Sequence, residues 1–152
     1  MTLSITKLSD TFSTSPQITA DDVVEIAALG FKTIINNRPD GEGGAEQPIS
    51  DAIKAAAKKT GLAYLYIPVI PGNITPSNVA ECAAFLSTAA TPVLGFCRTG
   101  NRASNLYQQV QNKSNSQSNS STISQNWLMA PICNFFKNKC LITKLVRKLS
   151  SR

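Results

Sequence analysis

Thr91-Pro92-Val93-Leu94-Gly95-Phe96-Cys97-Arg98-Thr99-Gly100-Asn101-Arg102-Ala103-Ser104 is the stretch that decides the fold. Its first half is a short apolar run of the kind that forms a buried strand. It delivers the chain directly into a loop bearing a cysteine, a glycine and two arginines. A loop wound between a strand and a helix can turn successive backbone N–H groups inward, making a nest for an anion at the helix N-terminus. Gly100 permits the tight curvature or positive φ that a Cβ would resist. The same field stabilises a thiolate, so Cys97 is expected to ionise below the free thiol value of about 8.5. Arg102 offers a planar fork suited to two oxygens of a phosphoryl or sulfuryl group. Ser104 is placed to donate to the thiolate or to assist a departing sulfur. Cys97 and Arg102 are therefore the candidate catalytic pair, with Arg98, Thr99, Gly100, Asn101, Ala103 and Ser104 completing the anion-binding loop. The alternative, a buried strand-end cysteine without chemistry, suits Cys82 inside its helix but not Cys97, whose neighbours form a specific combination.

Working back from this loop, strands and helices alternate. Ile18 to Leu29 reads as a helix, with Thr19 as cap and Asp21 and Asp22 in the first turn, ended by Gly30. Phe31 to Asn36 is a short buried strand, followed by the turn-rich loop Asn37 to Gly44. Ile49 to Thr60 is the next helix, Leu62 to Ile67 the next strand, and Thr75-Pro76 opens a helix running to about Thr88. Helices of this length between strands predict an α/β fold in three layers, a mostly parallel central sheet flanked by helices. Ligands in such sheets bind beyond the carboxyl ends of strands, which is where Cys97 falls.

The chain of 152 residues contains no histidine. That excludes Ser-His-Asp and Cys-His catalysis, HExxH metalloproteases and His-rich zinc hydrolases. Any nucleophile must be activated by backbone dipoles and arginines. No export signal or membrane-length apolar run is present, so the cytoplasm is the default expectation and the four cysteines are expected as free thiols. No metal or organic cofactor is implied. The net charge of +6 is unevenly placed: through residue 110, eight Lys and Arg stand against all nine acids, and the other seven basic residues lie in the tail.

That tail changes composition. Gln111 to Asn126 is mostly Ser, Asn and Gln, a low-complexity linker with little to bury. In 127–152, Leu141, Ile142, Leu145, Val146 and Leu149 recur at helical spacing among Lys144, Arg147 and Lys148. This segment reads as a basic amphipathic or disordered tail, suited to weak contact with an anionic membrane or a protein partner. Nucleic acid is not an expected partner, because the tail offers no folded, aromatic-lined surface. The expected organisation is a domain over 1–110, a linker over 111–126 and a tail over 127–152.

The Cys97 loop resembles those of rhodanese-type sulfurtransferases and, more distantly, protein tyrosine and dual-specificity phosphatases. The resemblance extends furthest to the phosphatase-like domain of beta-lactamase hydrolase-like proteins. It is carried by Ser15-Pro16-Gln17-Ile18-Thr19, by the run from Gly30 through Asn36-Asn37-Arg38-Pro39-Asp40-Gly41-Glu42, by Ile67-Pro68-Val69 and by the Cys97 loop. In some relatives this domain is fused to a zinc-dependent hydrolase domain, which a chain without histidine could not supply. Three departures stand out. Phe96 occupies the place where related loops commonly carry histidine; the closing helix dissolves into polar residues after Leu106-Tyr107; and four residues, not the five of tyrosine phosphatases, separate Cys97 from Arg102.

The resemblance implies a cysteine-dependent, phosphatase-like hydrolase acting on a small anionic substrate. Such an enzyme needs an acid for the leaving alcohol, yet the loop Pro68-Val69-Ile70-Pro71-Gly72-Asn73 contains none. Asp40 is the substitute candidate, although Pro-Asp-Gly is also an ordinary turn signature. The short loop and the missing acid keep open a rhodanese-like sulfurtransferase working through a Cys97 persulfide. A third alternative is a catalytically decayed interaction module with a basic tail.

Overall fold

The computed structural model describes residues 3–121, with side chains through Ser116. Five strands form one sheet in the order β1-β2-β5-β3-β4: β1 (Thr6–Lys7), β2 (Phe12–Ser15), β3 (Thr33–Asn36), β4 (Ala63–Tyr66) and β5 (Val93–Phe96). β1 is antiparallel to β2, and every other pairing is parallel. The predicted three-layer α/β arrangement is the one observed. Register aligns the strand ends, with Ser15 and Asn36 each opposite Phe96, and Tyr66 opposite Asn36. The loops after β2, β3, β4 and β5 therefore leave one edge of the sheet together, with Cys97 immediately after the central strand.

Period-two alternation along β5 sends its side chains to opposite layers. Leu94 and Phe96 join Ile18, Val23, Ile26, Ile34, Ile53 and Ala57 beneath α1 (Asp22–Ala28) and α2 (Ser50–Lys59). Val93 joins Phe12, Ile35, Val79, Cys82, Leu106 and Val110 beneath α3 (Pro76–Leu86) and α4 (Asn101–Ser121). Gly95 faces this second layer. A Cβ there would lie 2.9 Å from Phe12 Cζ and 3.2 Å from Ala103 Cβ, so glycine lets the first turn of α4 settle against the sheet. Phe96, at the place of the missing histidine, is fully buried in the first layer and serves packing.

The helices predicted over Ile49–Thr60 and from Thr75 are present, the latter opened by a capping box between Thr75 and Asn78. The helix expected from Ile18 begins only at Asp22, with Asp21 rather than Thr19 at the N-cap. Thr19 lies ahead of it, its N–H and hydroxyl donating to Asp22 Oδ2 at 2.7 and 2.9 Å and its Oγ1 accepting from Asp22 N–H at 3.3 Å. Strands β1 and β2 were not expected. β2 reads Phe-Ser-Thr-Ser, polar enough to pass for loop, yet all four residues are buried because its backbone is paired on both sides. The C-terminal helix is a second correction. Rather than dissolving after Tyr107, α4 continues to Ser121, into the segment read as a linker. Val110 is buried, Tyr107 stacks on Phe12 with centroids 4.1 Å apart, and the Ser114 and Ser116 hydroxyls bond back to the carbonyls of Gln111 and Asn112. The expected tail over 127–152 lies outside the described residues. No helix among the described residues is long and apolar enough to cross a membrane.

Candidate active site

The β5–α4 loop wraps its backbone around the sulfur of Cys97. Gly100 N–H donates to Cys97 Sγ at 3.1 Å. Gly100 has φ +91°, and its Cα lies against the Ser15 carbonyl, which a Cβ would approach to 3.3 Å. Only glycine meets both conditions without strain. Cys97 is fully buried, and burial alone would raise its pKa. The amides of Ala103, Thr99, Arg102 and Gly100 outweigh that penalty, and the pKa falls below the ordinary thiol value. Cys82 marks the contrast: also buried but without such donors, it is pushed up to about 11.

Arg102 projects from the first turn of α4. Its Nη1 donates to the Val69 carbonyl at 2.7 Å and its Nη2 to Glu42 Oε2 at 2.8 Å. Burial works against its charge, but the Glu42 carboxylate and the Cys97 thiolate more than offset this and hold the guanidinium ionised. Glu42 Oε2 also accepts from Arg38 Nε at 2.8 Å, so one carboxylate oxygen joins two arginines. Both arginine side chains are 11% exposed and that of Glu42 is 21% exposed. Arg102 first, then Arg38, holds the Glu42 carboxyl below the usual glutamate range. Arg38 Nη1 in turn donates to Gln17 Oε1 at 2.9 Å, and Gln17 N–H to the Arg98 carbonyl at 3.4 Å. Residues from all four loops at this sheet edge thus belong to one hydrogen-bonded network.

The remaining expected site residues fall as follows. Arg98 and Thr99 are exposed at the loop rim, Asn101 begins α4, and Ala103 is buried with its amide turned to the sulfur. Ser104 is not bonded to Cys97; its side chain lines a cleft of about 170 Å³ with Ser4, Thr6, Thr14 and Thr99, on the β1–β2 side of the loop. Asp40 is exposed, and both its oxygens are occupied at the start of α2, accepting from Ser50 N at 2.8 Å and Ser50 Oγ at 2.9 Å. Its turn therefore serves to stitch the β3–α2 loop to α2. Glu42, two residues on, was not singled out from the sequence. Its signal was the i,i+4 spacing from Arg38, obscured by a glycine-rich stretch that carries no helical periodicity. Among the described residues no group of three metal-ligating side chains is gathered.

The mostly parallel five-stranded sheet flanked by helices is the phosphatase-like fold of its solved relatives. The family model for the beta-lactamase hydrolase-like protein, phosphatase-like domain, matches residues 4–114, and the chain belongs to that family. A beta-lactamase hydrolase-like protein of Xylella fastidiosa (strain Temecula1) is 37% identical over 105 residues, covering 69% of this chain and 24% of the relative. The chain thus spans about a quarter of the length of the curated relatives it matches. The crystal structure of a Neisseria meningitidis protein named as a candidate phosphatase is 39% identical, covers 68% of this chain and 72% of its own, and superposes with a TM-score of 0.62. A further structure from Shewanella putrefaciens, 21% identical and covering 84% and 82% of the two chains, shares the fold with a TM-score of 0.60.

Proposed function

We propose that this chain is a cysteine-dependent phosphatase acting on a small phosphorylated substrate. One observation carries the reading: Cys97 Sγ lies within a ring of amides that lowers its pKa, with the Arg102 fork beside it. The thiolate attacks phosphorus, forming an S–P bond as the bond to the leaving oxygen breaks. The loop amides and Arg102 take up charge on the phosphoryl oxygens, where preorganised donors act most strongly. Water then attacks phosphorus, releasing phosphate and restoring the thiolate.

The four-residue spacing between Cys97 and Arg102 favours a second reading, sulfur transfer through a Cys97 persulfide, because a smaller amide ring suits a compact anion. The two separate in one experiment. The protein and its Cys97→Ser variant are assayed with an aryl phosphate, and with thiosulfate plus cyanide. Phosphate release that depends on Cys97, without thiocyanate, supports the phosphatase. Thiocyanate without phosphate overturns it in favour of sulfur transfer. Inactivity on both, with Cys97 alkylating only at an ordinary thiol pH, leaves a non-catalytic module.

A further inference from the structure

We propose that Glu42 is the proton donor to the leaving oxygen, and that it acts through Oε1. The inference deepens the phosphatase reading and rests on it. An alkoxide or weakly acidic phenoxide leaves slowly unless protonated, so the departing oxygen needs an acid. The loop 68–73 has none, and Asp40 has both oxygens bonded at Ser50. Glu42 is the carboxylate bonded to Arg102, the residue placed to grip the phosphoryl group.

Its geometry divides the two oxygens by task. Oε2 takes both arginine bonds, each 2.8 Å, and fixes the carboxyl group in place. Oε1 accepts no hydrogen bond among the described residues, and the side chain keeps 21% of its surface open. A proton on Oε1 leaves the arginine clamp intact, because Oε2 still accepts from both. The clamp is the positioning device and the free oxygen is the working one.

The charges facing Glu42 explain when the proton is present. Arg102 on α4 and Arg38 on its own loop keep it ionised in the free protein, and Arg102 also interacts with the Cys97 thiolate. A phosphoryl group arriving at Arg102 draws on that cation's charge and adds negative charge of its own. Both changes raise the proton affinity of Glu42. A phosphate ester with a second pKa of about 6 can enter as the monoanion and hand over its own proton. In the first step the Oε1 proton passes to the leaving oxygen as the S–P bond forms. In the second, the carboxylate takes a proton from the attacking water as the S–P bond breaks. Glu42 ends the cycle protonated, and its proton leaves with the departing phosphate or to solvent.

Glu42→Gln tests this with little disturbance, since the amide oxygen can still accept from Arg38 and Arg102. The variant is compared with the parent on phenyl phosphate, whose leaving group needs a proton, and on 2,4-dinitrophenyl phosphate, whose leaving group does not. Positioned acids contribute on the order of a hundredfold or more, so kcat/KM for the phenyl ester should fall about a hundredfold further than for the dinitrophenyl ester. The fall in kcat above the pKa of the bound acid should vanish from the variant's pH profile, read at saturating substrate so that ionisation of the free ester does not enter. Equal losses on both esters would assign Glu42 only to holding Arg102, and unchanged rates would give it no role; either result overturns the proposal. If neither ester releases phosphate in a Cys97-dependent way in the parent, the phosphatase reading itself fails, and the proposal with it.

Discussion

Gly95→Ala probes the contact that seats the anion loop. The added methyl would lie 2.9 Å from Phe12 Cζ and 3.2 Å from Ala103 Cβ, both inside normal contact distance. Neither neighbour yields easily. The Phe12 ring is 3% exposed and stacked on Tyr107 at an interplanar angle of 9°, and Ala103 is fixed in the first turn of α4. Overpacking of this kind costs about 1–3 kcal/mol. Replacing a strand glycine returns about 0.5–1 kcal/mol through lower unfolded-state entropy. The difference spans about 0 to 2.5 kcal/mol and is a loss of about 1.2 kcal/mol at the midpoints, or a fall of roughly 0.6 M in the urea midpoint at a slope of about 2 kcal/mol/M. The methyl also pushes on Ala103, whose amide helps hold the thiolate, so the Cys97 pKa should rise towards its ordinary value. Urea unfolding followed by fluorescence measures the first effect, and the pH dependence of iodoacetamide alkylation the second. Phe12→Leu in the same chain should relieve the crowding and recover part of both. A Gly95→Ala protein as stable as its parent, with an unchanged alkylation profile, would refute the claim that this contact seats the loop.

Asp40→Ala should lower stability by about 1 kcal/mol, the usual worth of a side chain bonded to a helix start, and leave kcat/KM within about twofold of the parent. A loss of several orders of magnitude would return Asp40 to the chemistry. Arg102→Lys cannot keep bonds to both Val69 and Glu42 from a planar fork, and phosphatase kcat/KM should fall by about a hundredfold or more. Because Glu42 has a lowered pKa in the folded chain, its contribution to stability is fully present above the ordinary glutamate value of 4.5 and is lost as pH falls through the folded value. Acid unfolding of Glu42→Gln should therefore be less steep through that window, and curves of identical shape would contradict the arginine clamp.

The parts of this fold legible in the sequence were those where local pattern and tertiary role agree. β5 is a continuous apolar run, α3 carries its cap in Thr75-Pro76, and the Cys97 loop places glycine and arginine at offsets that few structural roles require. β2 was hidden because Ser13, Thr14 and Ser15 are buried by pairing with β5 and β1, a non-local cause that polar composition masks. α4 was cut short for a related reason: beyond Tyr107, Val110 is the only buried side chain among those described, and the helix's polar residues read as linker. The Cys97 loop follows β5 as the sequence suggests, but the carboxylate expected beside it was Asp40, whose oxygens are bonded at Ser50 instead. Pro-Asp-Gly is conspicuous, whereas the partnership of Glu42 with Arg102 spans sixty residues and exists only once the loops after β3 and β5 meet. Spacing shows which residues a helix brings together; it does not show which loops a parallel sheet gathers at one edge.

Chemical trapping at Cys97 tests the central claim most directly. The protein is mixed with 2,4-dinitrophenyl phosphate, quenched during turnover, digested and analysed by mass spectrometry. A phosphoryl group on the peptide containing Cys97, absent from the Cys97→Ser variant, is the predicted result. Phosphate release that continues in the Cys97→Ser variant, with no phosphorylated cysteine in the parent, would contradict the account.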